Sequence, residues 1–155
     1  MLPGSPYVAV VGPHDATPAE ADAAEQVGAG LARAGAVVVC GGHGGVMAAA
    51  CRGAYDAGGM TIGILPGSDR SAANQWARVV IPTGMGEMRN ALIVRAADVV
   101  IAVGGAYGTL SEVALALKTD VPVIGIDTWA IEGVVEVDSP ADAVATALAR
   151  VEGGS

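Results

Sequence analysis

The sequence predicts an α/β protein built on a doubly wound, mainly parallel sheet of six or seven strands with helices on both faces. Three observations predict it. Short apolar runs alternate with helix-like segments along the whole chain of 155 residues. Most of those runs are apolar at consecutive positions, as in Val8-Ala9-Val10-Val11, which marks strands covered on both faces. Several of them end in glycine-containing turns, where a parallel sheet passes its chain into the next helix. Together they describe one Rossmann-like domain over residues 1–155.

The elements follow in order. A first strand is expected at 7–11, and Thr17-Pro18-Ala19-Glu20 then opens a helix with a capping box and a proline at the first helical position. A strand at 36–40 runs into Gly41-Gly42-His43-Gly44-Gly45 and a helix over 45–57. A strand at 61–65 ends in Pro66-Gly67-Ser68-Asp69-Arg70. The next, at 78–81, leads through Pro82-Thr83-Gly84 into a helix over 85–97. A fifth strand at 99–103 ends on Gly104-Gly105-Ala106-Tyr107-Gly108-Thr109, and Thr109 and Glu112 have the spacing of another capping box. A strand at 121–126 carries Pro122 near its start, as an edge or a first residue allows. A short seventh strand at 134–137 precedes Ser139-Pro140-Ala141-Asp142, which opens a last helix to about residue 150. No linker or repeat interrupts the pattern, and only the extreme ends are expected to fray.

Composition narrows the function. Hydrophobic residues are 52% and charged residues 15%, which excludes a disordered chain. With no Phe, the core must be built from Ala, Val, Ile, Leu and Met. The net charge of −8 and the lack of any basic run exclude a nucleic-acid groove or an anionic membrane surface as partner. No apolar stretch has the length of a membrane span, and the N-terminus lacks the basic start of a signal peptide, so a cytoplasmic protein is expected. Cys40 and Cys51 have neither zinc-site spacing nor the density of a disulfide scaffold. They are expected as reduced thiols, Cys40 buried and inert and Cys51 packing a helix. No metal site is expected. So few charges, with the apolar helix face around Val113-Ala114-Leu115-Ala116-Leu117, predict a homo-oligomer, a dimer in the simplest case.

Ligands of such sheets bind beyond the carboxyl ends of the strands. The turn around His43 (Gly42, Gly44, Gly45) and the turn of Gly104, Gly105, Tyr107, Gly108 and Thr109 bring free backbone N–H groups to a helix N-terminus, which suits a phosphate. Gly12 is the one glycine of the first turn, so the Gly-x-Gly-x-x-Gly fingerprint is missing and NAD or FAD is not expected. The single lysine, Lys118, follows Leu117, which excludes a Walker A loop. Arg89, early in its helix, is either a solvated side chain or a bidentate phosphate ligand, and Met85 and Asn90 beside it belong to the same candidate set. Glu112 is either a helix cap or a carboxylate that orients or deprotonates a water. His14 and Asp15 are weaker candidates, Met47 and Met88 fill core or line a pocket, and Ser111 lacks a nucleophile elbow. Arg95 is expected to pair with a neighbouring acid.

Three stretches taken together, Gly42-His43-Gly44-Gly45-Val46-Met47, Gly84 with Arg89-Asn90, and Gly104 through Glu112, resemble the Lonely Guy family. Its members are often labelled "possible lysine decarboxylase". The chain looks most like the short bacterial branch that is similar to molybdenum cofactor carrier proteins, and the resemblance runs from about residue 7 to 129. It implies hydrolysis of a nucleoside 5′-monophosphate to free base and ribose 5-phosphate, with Arg89 and Glu112 catalytic and Gly105, Gly108 and Thr109 on the phosphate. A carboxylate there would stabilise the charge that builds at the ribose C1′. Val103 stands where the family's loop opens with Pro, and Asn90 where its arginine is followed by Lys. Both departures fit the carrier-like branch, for which the resemblance implies non-catalytic binding of molybdenum cofactor, a phosphate-bearing pterin, or of a nucleotide. A pyridoxal phosphate decarboxylase is excluded, because Lys118 lies near the far end of its helix. No resident cofactor is expected.

Overall fold

The computed structural model describes residues 4–153, so the expected fraying of the extreme ends lies outside the described residues. Seven strands form one sheet: β1 (Tyr7–Val11), β2 (Val37–Cys40), β3 (Thr61–Leu65), β4 (Val79–Pro82), β5 (Val99–Val103), β6 (Val123–Ile126) and β7 (Val134–Glu136). Their order is β4-β3-β2-β1-β5-β6-β7 and every neighbouring pair is parallel. The helices are α1 (Pro18–Arg33), α2 (Val46–Asp56), α3 (Arg89–Ala96), α4 (Tyr107–Lys118) and α5 (Pro140–Gly153).

The consecutive apolar residues are divided between two cores by the two-residue period of a strand. Val8, Val10, Val38, Val99, Ile101, Ile124 and Ile126 pack with residues of α1, α2 and α5. Ala9, Val11, Val37, Val39, Val100, Ala102 and Val123 pack on the other face with residues of α3 and α4. The α1–α2 contact depends on glycine: a Cβ on Gly28 would run into the Ala50 carbonyl, and one on Gly53 into the Glu25 carbonyl.

Three expectations about local structure are corrected. The helix over 85–97 divides into a 3-10 turn, Gly86–Met88, and α3, because Gly84 and Gly86 sit at φ +65° and +60°, outside the right-handed helix. Thr109 and Glu112 do not form a capping box. The extended Ala106 (φ −126°, ψ 178°) starts α4 three residues before Thr109, so Thr109 lies inside the first turn and Glu112 farther in. Arg95 makes no ion pair; among the described residues the one salt bridge joins Arg52 and Asp56 at 3.9 Å. The predicted box at Thr17 is complete, and the one at Ser139 is present in one of its two bonds. Glu20 N donates to Thr17 Oγ1 at 3.1 Å and Thr17 N to Glu20 Oε1 at 2.9 Å, while Asp142 N donates to Ser139 Oγ at 3.1 Å. Among the described residues, no helix is long and apolar enough to cross a membrane.

Candidate functional site

The strand order reverses between β1 and β5, which makes their carboxyl ends the topological switch point of the sheet. A cavity of about 220 Å³ opens there, lined by Gly12, Pro13 and His14 after β1, Gly41 after β2, Arg89 and Asn90 of α3, and Ala106, Gly108, Thr109 and Glu112 at the start of α4. Met47 also lines it. A larger depression, about 680 Å³, lies between α1, α2 and α5. No buried polar group points into it, so the smaller cavity is the chemically equipped one.

Arg89 is fixed by one carbonyl just after β2 and one within β3. Its Nη1 donates to Gly41 O at 2.7 Å and to Ile64 O at 2.8 Å, and its Nε donates to Asn90 Oδ1 at 3.1 Å. Among the described residues no acceptor meets Nη2, which is left for the cavity. Burial lowers the basicity of the guanidinium, with Glu112 and Cys40 acting in the opposite sense, and the group stays a cation. Asn90 carries the chain of contacts onward: its Nδ2 donates to Ser111 Oγ at 3.0 Å, and Ser111 Oγ donates to Gly108 O at 2.7 Å. The guanidinium plane and the first turn of α4 are therefore held in one frame.

That first turn has no side-chain cap at Ala106. The amides of Tyr107, Gly108 and Thr109 find no acceptor among the described residues, as expected for the orphan donors of a helix N-terminus. Thr109 is 2% exposed and its Oγ1 is buried without a hydrogen-bond partner. Glu112 is 8% exposed, and burial pushes its carboxyl up to about 8 against the pull of Arg89. The two make no direct ion pair. A carboxyl held there mostly keeps its proton at neutral pH. The cavity then combines a half-buried cation, a bare helix N-terminus and a neutral acid, an arrangement that attracts an anion.

The glycines divide by what fills the space beside them. A Cβ on Gly12 would strike the Val103 carbonyl and Val46, one on Gly45 the Pro13 and His14 carbonyls, and one on Gly104 the Glu20 carboxyl. Gly42 abuts Leu65, Gly44 the His14 ring, and Gly105 the Trp129 ring. At these positions the space is taken by the protein itself. Gly108 is different, with nothing within 4 Å of its would-be Cβ.

Of the other candidates, His43 does not line the cavity but makes a T-shaped contact with His14, which does (centroids 6.4 Å apart). Burial first, then Arg89 and His14, lower its proton affinity. Met85 is exposed and Tyr107 is 83% exposed, stacked on Trp129, and neither lines the cavity. Gly41 and Ser111 were not singled out as ligand-site residues from sequence. Their contributions are a carbonyl and a bridging hydroxyl, which leave no signature in a residue pattern. No group of three His, Cys, Asp or Glu side chains is placed to hold a metal among the described residues.

Comparison with known proteins adds three relationships and a family. A family model described as the SLOG cluster4 family matches residues 5–151. The chain is 42% identical over 122 residues to an uncharacterised protein of Archaeoglobus fulgidus, covering 78% of this chain and 80% of that one. Its fold is similar to that of the molybdenum cofactor binding protein from the phototrophic bacterium Rippkaea orientalis, with a TM-score of 0.91 and 36% identity over 97% of this chain and 99% of that one. The molybdenum cofactor carrier protein of Chlamydomonas reinhardtii follows with a TM-score of 0.87 and 31% identity over 96% and 99%.

Proposed function

The chain belongs to the SLOG cluster4 family, and from that premise we propose that it binds and carries molybdenum cofactor, a pterin bearing a phosphate, without altering it chemically. One observation carries the reading: the uncapped first turn of α4, with the unpartnered Thr109 Oγ1, shares the switch-point cavity with the free edge of Arg89. The phosphate goes to the amides of Tyr107, Gly108 and Thr109, the Thr109 hydroxyl and Arg89 Nη2. About 220 Å³ takes a phosphate and its adjoining atoms, not the whole ligand. The adjoining depression of about 330 Å³ shares Asn90 and Gly108 with the cavity and carries Met88 and Tyr107 as an apolar surface for the ring system. The likeness to two molybdenum cofactor binding and carrier proteins along nearly the full chain supports the same ligand.

A second reading, N-glycosidic hydrolysis of a nucleoside 5′-monophosphate, is favoured by Glu112. A carboxyl that holds its proton to about pH 8 beside a phosphate site is suited to protonate a leaving base. One pair of assays separates the two. Anaerobic titration with molybdenum cofactor should give saturable binding, and a panel of nucleoside monophosphates should release no ribose 5-phosphate. Release that Glu112→Gln abolishes, without cofactor binding, would replace the carrier reading with the hydrolase.

A further inference from the structure

The two cysteines, eleven residues apart in sequence, meet next to Gly41, which lines the cavity. Cys40 Sγ and Cys51 Sγ are 3.3 Å apart, both side chains are fully buried, and Gly42 N donates to Cys40 Sγ at 3.3 Å. Cys40 ends β2 and Cys51 lies in the middle of α2, so the pair joins the sheet to the helix that follows the His43 turn. Over them passes the irregular stretch after Asp69. Asn74 ties it down, donating through N to Gly42 O at 2.8 Å and through Nδ2 to His43 O at 2.9 Å. The residue after Cys40 is Gly41, whose carbonyl holds Arg89. Nothing in the ligand-binding reading uses the thiols.

We propose that Cys40 and Cys51 are an oxidisable dithiol that hydroperoxides convert to a disulfide, and that closing the disulfide weakens the anion site through Gly41 and Arg89. In the first step one thiolate of the pair attacks a peroxide oxygen, the O–O bond breaks, and hydroxide leaves to take a proton. In the second, the other sulfur attacks the sulfenic sulfur, the S–O bond breaks and water leaves with the proton of the second thiol. The sum is two thiols and one hydrogen peroxide giving one disulfide and two waters. Either thiol can donate in the sulfur–sulfur contact, so one sulfur can carry the charge while the other holds the proton. Access requires the Asn74 stretch to open locally, breaking its hydrogen bonds to Gly42 O and His43 O.

A disulfide requires the sulfurs to close from 3.3 Å to about 2.0 Å. The approach draws Cys40 toward α2 and removes the Sγ that accepts from Gly42 N. Gly41 lies between these two points, with its carbonyl on Arg89 Nη1 and the guanidinium filling the space where a Cβ would stand, so a displacement there reaches the cation directly. The second half of the proposal rests on the ligand-binding reading; the first half does not.

The test begins with the full chain and a small excess of hydrogen peroxide, followed by removal of the peroxide. Intact mass should fall by two hydrogens, both thiols should disappear together from a denatured thiol titration, and dithiothreitol should restore them. Cys40→Ser or Cys51→Ser should instead stop at a sulfenic acid on the remaining cysteine that dimedone captures. Two free thiols under excess peroxide, or over-oxidation of one cysteine with the other still free, would overturn the dithiol; the wild-type protein alone decides this if the variant does not fold. Molybdenum cofactor, added anaerobically afterwards, should bind the oxidised protein at least about tenfold more weakly than the dithiothreitol-treated protein, a change of about 1.4 kcal/mol. Equal affinity with the disulfide formed would overturn the coupling. Failure of the reduced protein to bind the cofactor would overturn the carrier reading and leave the mass result standing.

Discussion

Glu112→Gln should stabilise the protein, and more so as pH rises. Glu112 is buried to 8% exposure, has no hydrogen-bond partner among the described residues, and keeps its proton up to about pH 8, against an ordinary value of 4.5. Between those two values the folded chain binds a proton that the unfolded chain has released. The contribution of Glu112 to stability is therefore most favourable below 4.5, declines as pH rises, and levels off above 8. At about 1.4 kcal/mol per pH unit, holding that proton costs about 3 kcal/mol at pH 7. Glutamine keeps the shape and does not titrate. With a urea dependence of about 2 kcal/mol/M, the variant's unfolding midpoint should exceed the wild type's by about 1.5 M at pH 7, relative to their difference near pH 4.5. Urea titrations at pH 4.5, 6, 7 and 8 measure this, and the growth of the difference with pH carries the test. A flat difference would refute the burial argument. A difference that turns against the variant as pH rises would mean that Glu112 is ionised and held by Arg89.

Three further predictions concern the frame around the site. Thr109→Val removes a buried hydroxyl with no partner, so it should raise stability by about 1 kcal/mol in thermal or urea unfolding while weakening molybdenum cofactor binding. Stabilisation without loss of binding would take Thr109 out of the site. Asn90→Ala breaks both links between Arg89 and the α4 turn, and should weaken binding by about tenfold, with Ser111→Ala adding little on top. Additive losses in the double variant would show that the relay does not act as a unit. Gly53→Ala drives a methyl into the Glu25 carbonyl and should cost about 2 kcal/mol in urea unfolding without changing ligand affinity, since it lies far from the switch point.

Much of the sheet was legible because its signal is local. Strands buried on both faces must be apolar at every position, and Val8 through Val11 or Val99 through Val103 show that directly. The start of α4 was not legible in the same way. Thr109 and Glu112 have capping-box spacing, but the positive φ of Gly104 and the extended Ala106 begin the helix earlier, and those angles are set by what packs against the loop. Glycine is ambiguous for the same reason. The pattern marks Gly104 and Gly108 alike, yet the space beside Gly104 is taken by the Glu20 carboxyl and the space beside Gly108 is open. Arg89 was visible as a candidate, but its anchors on Gly41 and Ile64 lie 48 and 25 residues away. Asn90 looked like a lost positive charge, and in the structure it is the bridge between Arg89 and Ser111. The Cys40–Cys51 contact depends on how α2 packs on β2, which no spacing rule for disulfides or zinc encodes.

The most direct test of the central claim is anaerobic titration of the wild-type protein and of Arg89→Gln with molybdenum cofactor at pH 7. The account predicts one ligand per chain for the wild type and a loss of at least about tenfold in the variant, the scale of a charge-assisted hydrogen bond of about 1.5–3 kcal/mol. Equal affinity in the two proteins would place the ligand elsewhere and contradict the assignment of the switch-point cavity.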